Sequence, residues 1–212
     1  LSKKIVSTAS MQELFASQSF SWQPELPDAE LHYYPHFWSP KEADVLFEQL
    51  QQETPWQHDP ITVFGKTYMQ PRLTALYGKN PKPYSYSGIT MNPHPMSKTL
   101  LEILQKIQTV DPHAYNTVLL NLYRNGKDSN GWHADNEKEL GFQPRIASAS
   151  FGEERFFHFK HRSDKQQRYK LRLGHGSLLI MGGAMQEHWL HQIAKTARPV
   201  KERINLTFRK LC

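Results

Sequence analysis

The sequence predicts a mainly β protein, with a closed or sandwiched antiparallel core and helices packed on its outside. Two segments with helical periodicity come first, and short segments rich in β-branched and aromatic residues follow them. Turn-forming residues separate these short segments, for example at Asn125-Gly126 and Gly152-Glu153. The 212 residues contain no internal repeat, so one domain with a complete core is expected.

The first helix is predicted to begin at Pro40, because Ser39 and Glu42 form a capping box around a proline at the first helical position. Its apolar residues recur at helical spacing, at Ala43, Leu46, Phe47 and Leu50. A second helix is predicted from Ser97 onward. One face of it carries Leu100, Leu101, Leu104 and Ile107.

The remaining elements are predicted to be strands. Residues 62–68 have the pattern of a hairpin with Gly65 near its turn. Further short strands are predicted at 117–123, 146–151, 156–160, 168–173, 177–181 and 203–209. We treat residues 1–30 as an N-terminal extension of uncertain order and residues 31–212 as the domain.

Composition restricts the class of function. The net charge of +6 and the isoelectric point of about 9.3 favour an anionic partner, of which nucleic acid is the commonest, although solubility alone accounts for such a balance. Cys212 is the single cysteine, which excludes a disulfide and a thiolate metal cluster. Any metal must therefore be held by histidine and carboxylate side chains.

No stretch of the chain approaches the ~20 apolar residues that a membrane span needs. The first residues also lack the apolar core of a signal peptide, since polar residues follow Ile5 and Val6 directly. We therefore expect an intracellular monomer with no membrane partner, in the cytoplasm of a bacterium or the nucleus of a eukaryote.

Two predicted strands carry polar side chains on one face. Arg203, Asn205, Thr207 and Arg209 alternate with apolar residues, and Asn121 shares a face with Tyr123. One interpretation is the solvated outer face of an amphipathic strand. The other is a polar barrel interior that binds a small dianion, with arginine gripping its carboxylates in bidentate fashion.

The spacing of His133 and Asp135 lets an imidazole and a carboxylate point the same way from an extended chain. With a distant histidine they would form the two-histidine, one-carboxylate face that leaves three positions on iron open. His191 fits this role best, because it lies in a strand-like segment shortly before Arg203. His188 and His175 stay open as rivals on this argument.

The ordered combination of these motifs resembles the AlkB family of 2-oxoglutarate oxygenases, especially its mammalian second and third homologues. The likeness runs from about residue 31 to residue 210. It rests on Asn121-Leu122-Tyr123, the His133/Asp135 pair, His191 and the strand from Arg203 to Arg209. The segments 71–75, 146–152 and 175–179 also resemble these proteins.

The resemblance implies a mainly β fold with flanking helices (α+β) on a double-stranded β-helix, or jelly-roll, core. It implies iron(II) bound by His133, Asp135 and His191, with 2-oxoglutarate held by Asn121, Tyr123, Arg203, Asn205 and Arg209. The implied reaction uses O2 to oxidise alkyl groups on nucleic-acid bases such as 1-methyladenine and 3-methylcytosine. Formaldehyde is released, and 2-oxoglutarate becomes succinate and carbon dioxide.

A base must be flipped out of a duplex, or lie in a single strand, before its pairing edge can react. The resemblance implies a nucleotide-recognition region at about 55–95, in which Tyr84 and Tyr86 line the base pocket. Glu137 would read the exocyclic amine of the base, and Asn136 departs from the acidic residue that is common beside it. Phe64 would enter the duplex as an apolar wedge.

Arg72 is predicted to face the DNA or the rim of the pocket. Basic residues near the strands are predicted to contact phosphates, namely Arg155, Lys160, Arg162, Lys165, Arg168, Lys170 and Arg172, with Lys195, Arg198 and Lys201. Ordinary strand packing is the competing interpretation for the aromatic residues, and a solvated surface is the competing one for the charged residues.

Three other functions compete with duplex DNA dealkylation. The same iron chemistry could act on single-stranded DNA, RNA, protein or lipid, and RNA stays open because residues 125–129 resemble the third homologue. An inactive nucleic-acid-binding relative is disfavoured by the complete ligand set. A zinc hydrolase would not need paired arginines behind the metal.

Overall fold

The computed structural model describes residues 22–63, 65–80, 84–86 and 89–212, which form two large sheets with helices on one side. In this part of the chain the helices are α1 (Pro40–Glu53), α2 (Lys98–Gln108) and α3 (Met185–His188), with a 3-10 turn at Lys138–Leu140. The first strands are β1 (Glu30–Tyr34), β2 (Pro60–Val63), β3 (Lys66–Met69), β4 (Leu73–Gly78), β5 (Tyr84–Tyr86), β6 (Ile89–Met91), β7 (His94–Pro95) and β8 (Thr117–Tyr123). The later strands are β9 (Asn130–His133), β10 (Ile146–Gly152), β11 (Arg155–His161), β12 (Arg168–Leu173), β13 (Ser177–Gly182), β14 (Trp189–Ile193) and β15 (Arg203–Arg209).

The helix predictions are confirmed in their starting residues. The Ser39 side chain accepts from the Glu42 backbone N–H, and the Glu42 carboxylate accepts from the Ser39 N–H at 2.8 Å, so the capping box closes. The Ser97 hydroxyl caps α2 by accepting from the Leu100 N–H at 3.2 Å. Both helices bury apolar residues against the larger sheet, but Leu101, which was predicted to lie on the apolar face of α2, is 39% exposed.

The larger sheet has seven strands in the order β1-β13-β10-β15-β8-β4-β7, and the smaller sheet has the order β12-β11-β14-β9. All pairings are antiparallel except that of β4 with β7. One apolar core lies between the larger sheet and the helices, and a second, around Phe159 and Trp189, lies between the two sheets. This is the jelly-roll core with outer helices that the sequence predicts.

Two hairpins lie outside these sheets. β2 and β3 pair with Val63 opposite Lys66, and Gly65 has φ 74°, so the predicted hairpin with Gly65 in its turn is confirmed. β5 pairs with β6 in a second hairpin. The prediction for residues 1–21 lies outside the described residues. From residue 22 the chain contacts the domain, since the Trp22 backbone N–H donates to the Tyr33 carbonyl at 2.8 Å and the Trp189 indole N–H donates to the Pro27 carbonyl at 3.0 Å.

In the part of the chain that the structure describes, no helix is long and apolar enough to cross a bilayer.

Candidate active site

Two adjacent strands of the smaller sheet bring His133 and His191 together. The two residues are direct partners across β9 and β14, and their ring centroids are 4.3 Å apart. Asp135 follows β9 and is 1% exposed. The candidate ligand atoms of His133, Asp135 and His191 all lie within 4.8 Å of one another. The three residues that the sequence selects as metal ligands therefore converge on one point.

The hydrogen bonds and charges of these residues suit a divalent metal. His133 Nδ1 lies 2.7 Å from the Gly131 carbonyl, to which it donates, so the lone pair is on Nε2. That lone pair accepts from Asn130 Nδ2 at 3.1 Å, and a bound metal would take the place of this hydrogen bond. Burial lowers the pKa of His133, and burial together with the nearby His133 lowers the pKa of His191 to about 3. Both imidazoles are thus neutral at physiological pH, as metal ligation requires.

Asp135 is kept ionised and held in place by two contacts. Burial, the largest single influence, would raise its pKa, but the charge and hydrogen bond of Arg209, whose Nη2 lies 2.7 Å from Asp135 Oδ1, together with His191 and His133, outweigh burial and lower the pKa. The Asp135 backbone N–H donates to Gln186 Oε1 at 2.9 Å. His191 Nδ1 is buried with no hydrogen-bond partner among the described residues. Two neutral imidazoles and one carboxylate are a donor set that fits iron(II).

The polar face of β15 lines the same cavity as the three candidate ligands. Arg203 lies opposite Tyr123 of β8, and Asn205 lies opposite Asn121, so the predicted face is assembled from directly paired residues. These side chains are buried rather than solvated. The interpretation of this face as a polar interior is therefore the correct one.

Arg203 has the properties of an anion receptor. It is 1% exposed, and its Nη2 donates to Ser150 Oγ at 2.9 Å, while Nε and Nη1 have no hydrogen-bond partner among the described residues. Burial lowers its pKa to about 10, so the guanidinium stays charged at neutral pH. Asn205 Nδ2 donates to Ser148 Oγ at 2.8 Å, which fixes the amide beside it. A carboxylate entering this cavity would find two guanidinium nitrogens whose N–H groups lack acceptors.

The rival histidines lie elsewhere. His175 Nδ1 accepts from the Gly152 N–H at 2.8 Å, and its Nε2 lies 3.2 Å from Asp44. His188 stacks on His161, with ring centroids 5.8 Å apart. Neither residue lines the cavity that holds His191.

The substrate side is only partly described. Phe64 and the side chains of Tyr84 and Tyr86 lie outside the described residues, so their roles stay predictions. Glu137 is half-buried just before the 3-10 turn, and Arg162 is exposed just after β11.

Two arginine predictions need correction. Arg72 is 4% exposed, and its Nε donates to Asn121 Oδ1 at 2.7 Å, so it lies behind the cavity wall and not on an exposed rim. Arg155 is 5% exposed and donates to backbone carbonyls, including that of Ala194 at 2.7 Å, so it cannot contact phosphate. Each guanidinium is used to hold loops and strands around the site.

Sequence reasoning did not assign roles to Gln186, Ser148 and Ser150. Ser148 and Ser150 share a face of β10 and hold Asn205 and Arg203, a role that their i, i+2 spacing beside small residues could have indicated. Gln186 lies in the four-residue helix α3, where no local pattern indicates that its side chain accepts a hydrogen bond from the Asp135 backbone N–H.

Comparison with known proteins agrees with this fold. A model of the 2OG-Fe(II) oxygenase superfamily matches residues 30–209, and the chain therefore belongs to that superfamily. The solved structure of OsALKBH1 superposes with a TM-score of 0.57 over 89% of this chain and 99% of its own, at 19% identity, which supports the fold.

Two groups of relatives are closer in sequence. The chain is 44% identical to the alpha-ketoglutarate-dependent dioxygenase alkB homolog 3 of Homo sapiens, over 83% of this chain and 64% of that protein. It is 37% identical to the DNA oxidative demethylase ALKBH2 of Mus musculus, over 80% of this chain and 75% of that protein. The chain thus spans less than two thirds of the length of the human relative.

Proposed function

We propose that this protein is an iron(II)- and 2-oxoglutarate-dependent dioxygenase that removes N-alkyl groups from nucleic-acid bases, 1-methyladenine and 3-methylcytosine in DNA in particular. The observation that carries the proposal is the convergence of His133, Asp135 and His191 in one cavity with the buried cation Arg203. A metal hydrolase would have the three ligands but no use for an unsatisfied guanidinium behind them.

The residues of the chain divide the work between metal and co-substrate. His133, Asp135 and His191 would hold iron(II), and Arg203 with Asn121, Tyr123, Asn205 and Arg209 would hold the 2-oxoglutarate dianion. When bound, these groups supply the oxidation: O2 and 2-oxoglutarate yield a hydroxylated alkyl carbon, succinate and carbon dioxide, and that carbon leaves the base as formaldehyde. The burial of Asp135, His191 and Arg203 keeps water out and strengthens the electrostatic contacts.

Asp135 has a further positioning role. One of its oxygens accepts from Arg209 Nη2 at 2.7 Å, and its backbone N–H is fixed by Gln186 at 2.9 Å. The carboxylate therefore has a single orientation when a metal approaches, and one oxygen stays directed at the imidazoles. Such ordering by outer contacts would leave metal positions open for co-substrate and oxygen.

A nucleic-acid substrate is supported by an exposed apolar hairpin strand and by the relatives. The mouse relative is named DNA oxidative demethylase ALKBH2. The exposed hairpin strand β3 carries Tyr68 at 53% and Met69 at 52% exposure, apolar surface that a nucleic acid could cover. Following the family resemblance, we propose Phe64 as the duplex wedge and Tyr84, Tyr86 and Glu137 as the residues that contact the nucleobase.

The test is a panel of oligonucleotides carrying 1-methyladenine or 3-methylcytosine, as DNA and as RNA, analysed by mass spectrometry for loss of the methyl group. His133→Ala should abolish demethylation. His188→Ala removes a histidine that lies close to His191 in sequence but outside the cavity, and this variant should retain demethylation. Absence of formaldehyde and succinate with every substrate in the presence of iron(II) and ascorbate would leave an inactive nucleic-acid-binding relative.

The strand preference has its own test. Phe64→Ala should slow repair of duplex DNA more than repair of single strands, because a wedge is needed only where bases are stacked and paired. Equal slowing of both substrates would reject the wedge and favour an enzyme that acts on single-stranded DNA or RNA.

A further inference from the structure

The outer face of the smaller sheet carries a regular row of positive charges. Arg168, Lys170 and Arg172 alternate along β12, so their exposed side chains share one face, and we name these three residues the cation ladder. Successive members are two residues apart, about 6.8 Å along the strand. This spacing is similar to that of neighbouring phosphates in an extended single strand of nucleic acid.

Aromatic rings accompany the charges on the neighbouring strand. Phe156 of β11 lies opposite Arg172, and its ring centroid is 5.2 Å from both Lys170 Nζ and Arg172 Cζ. Further along β11, on the same outer face, Lys160 Nζ lies 4.3 Å from the ring centroid of Trp132, which is 41% exposed. Rings and cations side by side are the combination with which proteins bind single strands, because bases stack on rings while cations hold phosphates.

Little negative charge offsets the ladder. Among the described residues, Arg172 is the one ladder member with an ion-pair partner, Glu154 at 2.8 Å. Burial first, and then the charge of Lys170, lower the pKa of His158, which lies opposite Lys170 on β11. The face is therefore electropositive along its length.

The ladder is connected to the candidate active site by the sheet itself. β11 pairs with β14, and β14 pairs with β9, so the order β12-β11-β14-β9 runs from the ladder to the strands of His191 and His133. Trp132 directly precedes His133, and its side chain lies on the outer face while the histidine faces the cavity. A strand leaving the cavity past β9 would meet Trp132 and Lys160 first and the ladder next.

We infer that the outer face of the β11–β12 hairpin binds the phosphates of a single-stranded nucleic acid that flanks the base in the cavity. The inference rests on the proposed nucleic-acid substrate and adds where the flanking strand runs. A single strand fits better than a duplex, since it can follow a flat sheet and place its bases on Phe156 and Trp132.

The experiment measures binding of an unmodified 12-nucleotide oligothymidine by fluorescence anisotropy at several salt concentrations, without iron. The triple variant Arg168→Gln, Lys170→Gln and Arg172→Gln should reduce the slope of log affinity against log salt by about 2, since each phosphate contact of a single strand contributes ~0.7. A weaker affinity with an unchanged slope would overturn the inference.

The matched control lies on the helices. Lys41→Gln, Lys98→Gln and Lys106→Gln together also remove three cations, and Lys106 has an ion pair with Glu42 at 2.8 Å and ring contacts to Phe37 and Trp38, as Arg172 has with Glu154 and Phe156. This control should keep the wild-type slope. If both variants lower the slope equally, net charge and not the ladder is responsible.

Two further arms complete the test. Should the triple variant fail to fold, Lys170→Gln alone should reduce the slope by about 0.7, and Lys98→Gln, which is 91% exposed, should not. If the triple variant shows the same reduction of slope with a 12-base-pair duplex, the assignment to a single strand is overturned. The binding experiment contains no alkylated base and no metal, so it is independent of the proposed reaction. If the triple variant has the reduced slope but the wild-type protein releases no formaldehyde in the demethylation assay, the proposed reaction alone is contradicted. If the triple variant keeps the wild-type slope and the wild-type protein is active, the cation ladder alone is contradicted.

Discussion

Replacing Arg203 with methionine should separate the stability of the protein from its co-substrate binding. Arg203 is 1% exposed, two of its guanidinium nitrogens have no hydrogen-bond partner among the described residues, and it lies near the like charge of Arg155, with the Tyr123 ring centroid 5.3 Å from its Cζ. A buried charge without an anion costs several kcal/mol, and an apolar side chain of similar length removes that cost. Arg203→Met should therefore make the ligand-free protein more stable while abolishing tight binding of 2-oxoglutarate.

The expected magnitudes follow from the burial of this site. We expect the free energy of unfolding to rise by about 2 kcal/mol, which for a domain of this size raises the melting temperature by about 4–8 °C. Affinity for 2-oxoglutarate should fall at least ~30-fold, because truncating one partner of a buried charge pair costs about 2–5 kcal/mol. Wild-type protein should be stabilised by added 2-oxoglutarate, and the variant should not.

The assay is thermal unfolding with and without 2-oxoglutarate, and Arg155→Met is the matched control. Arg155 is also buried, but it donates to the carbonyls of Asn125, Asp128 and Ala194. Its replacement should lower the free energy of unfolding by about 2–4 kcal/mol, since those acceptors lose their donor. If both methionine variants are destabilised to the same extent, the reasoning about Arg203 as an uncompensated charge is wrong.

Three other predictions concern the frame of the site and the fold. Gln186→Ala should weaken cobalt(II) binding about 10-fold in an absorption titration, since Asp135 loses the acceptor of its N–H, and an unchanged affinity would deny Gln186 a positioning role. Gly152→Ala should lower the free energy of unfolding by more than ~2 kcal/mol in urea, because φ is +85° and the new Cβ would lie 2.4 Å from the Glu202 carbonyl oxygen. Hydrogen bonds to Lys106 and Ser39 lower the pKa of Glu42 from 4.5 to about 2, so its contribution is complete above pH 4.5 and is lost as the pH falls toward 2. Glu42→Gln should accordingly cost under ~1 kcal/mol at pH 7, with the difference narrowing below pH ~4, and a pH-independent difference would contradict this assignment.

The elements that the sequence predicts correctly are those with complete local signals. The capped starts at Ser39 and Ser97 and the strands at 117–123 and 203–209 need only neighbouring residues to define them. β4 was missed because its sequence, LTALYG, contains alanine and glycine and a single β-branched residue, which is a weak strand signal. β9 has four residues and α3 has four, which are too few for any period to be visible.

The candidate site was predictable as a set of residue types but not as a set of distances. Alternation showed that Arg203, Asn205 and Arg209 share a face, and the order of motifs selected His191, but only the sheet order decides that this face is interior. Arg72 and Arg155 were misassigned because isolated arginines are usually exposed. Their burial depends on carbonyl and amide acceptors that come from distant parts of the chain.

His133 and His191 are paired across β9 and β14, so the candidate metal site depends on the register of these two strands. A slip of one residue between these strands would turn one imidazole from the interior to the outer surface, since side chains alternate sides. Inserting or deleting a single residue within β14 should thus remove a ligand outright and not merely stretch a bond. Length changes that this protein can tolerate are expected in its turns, where they leave the pairing of the two imidazoles intact.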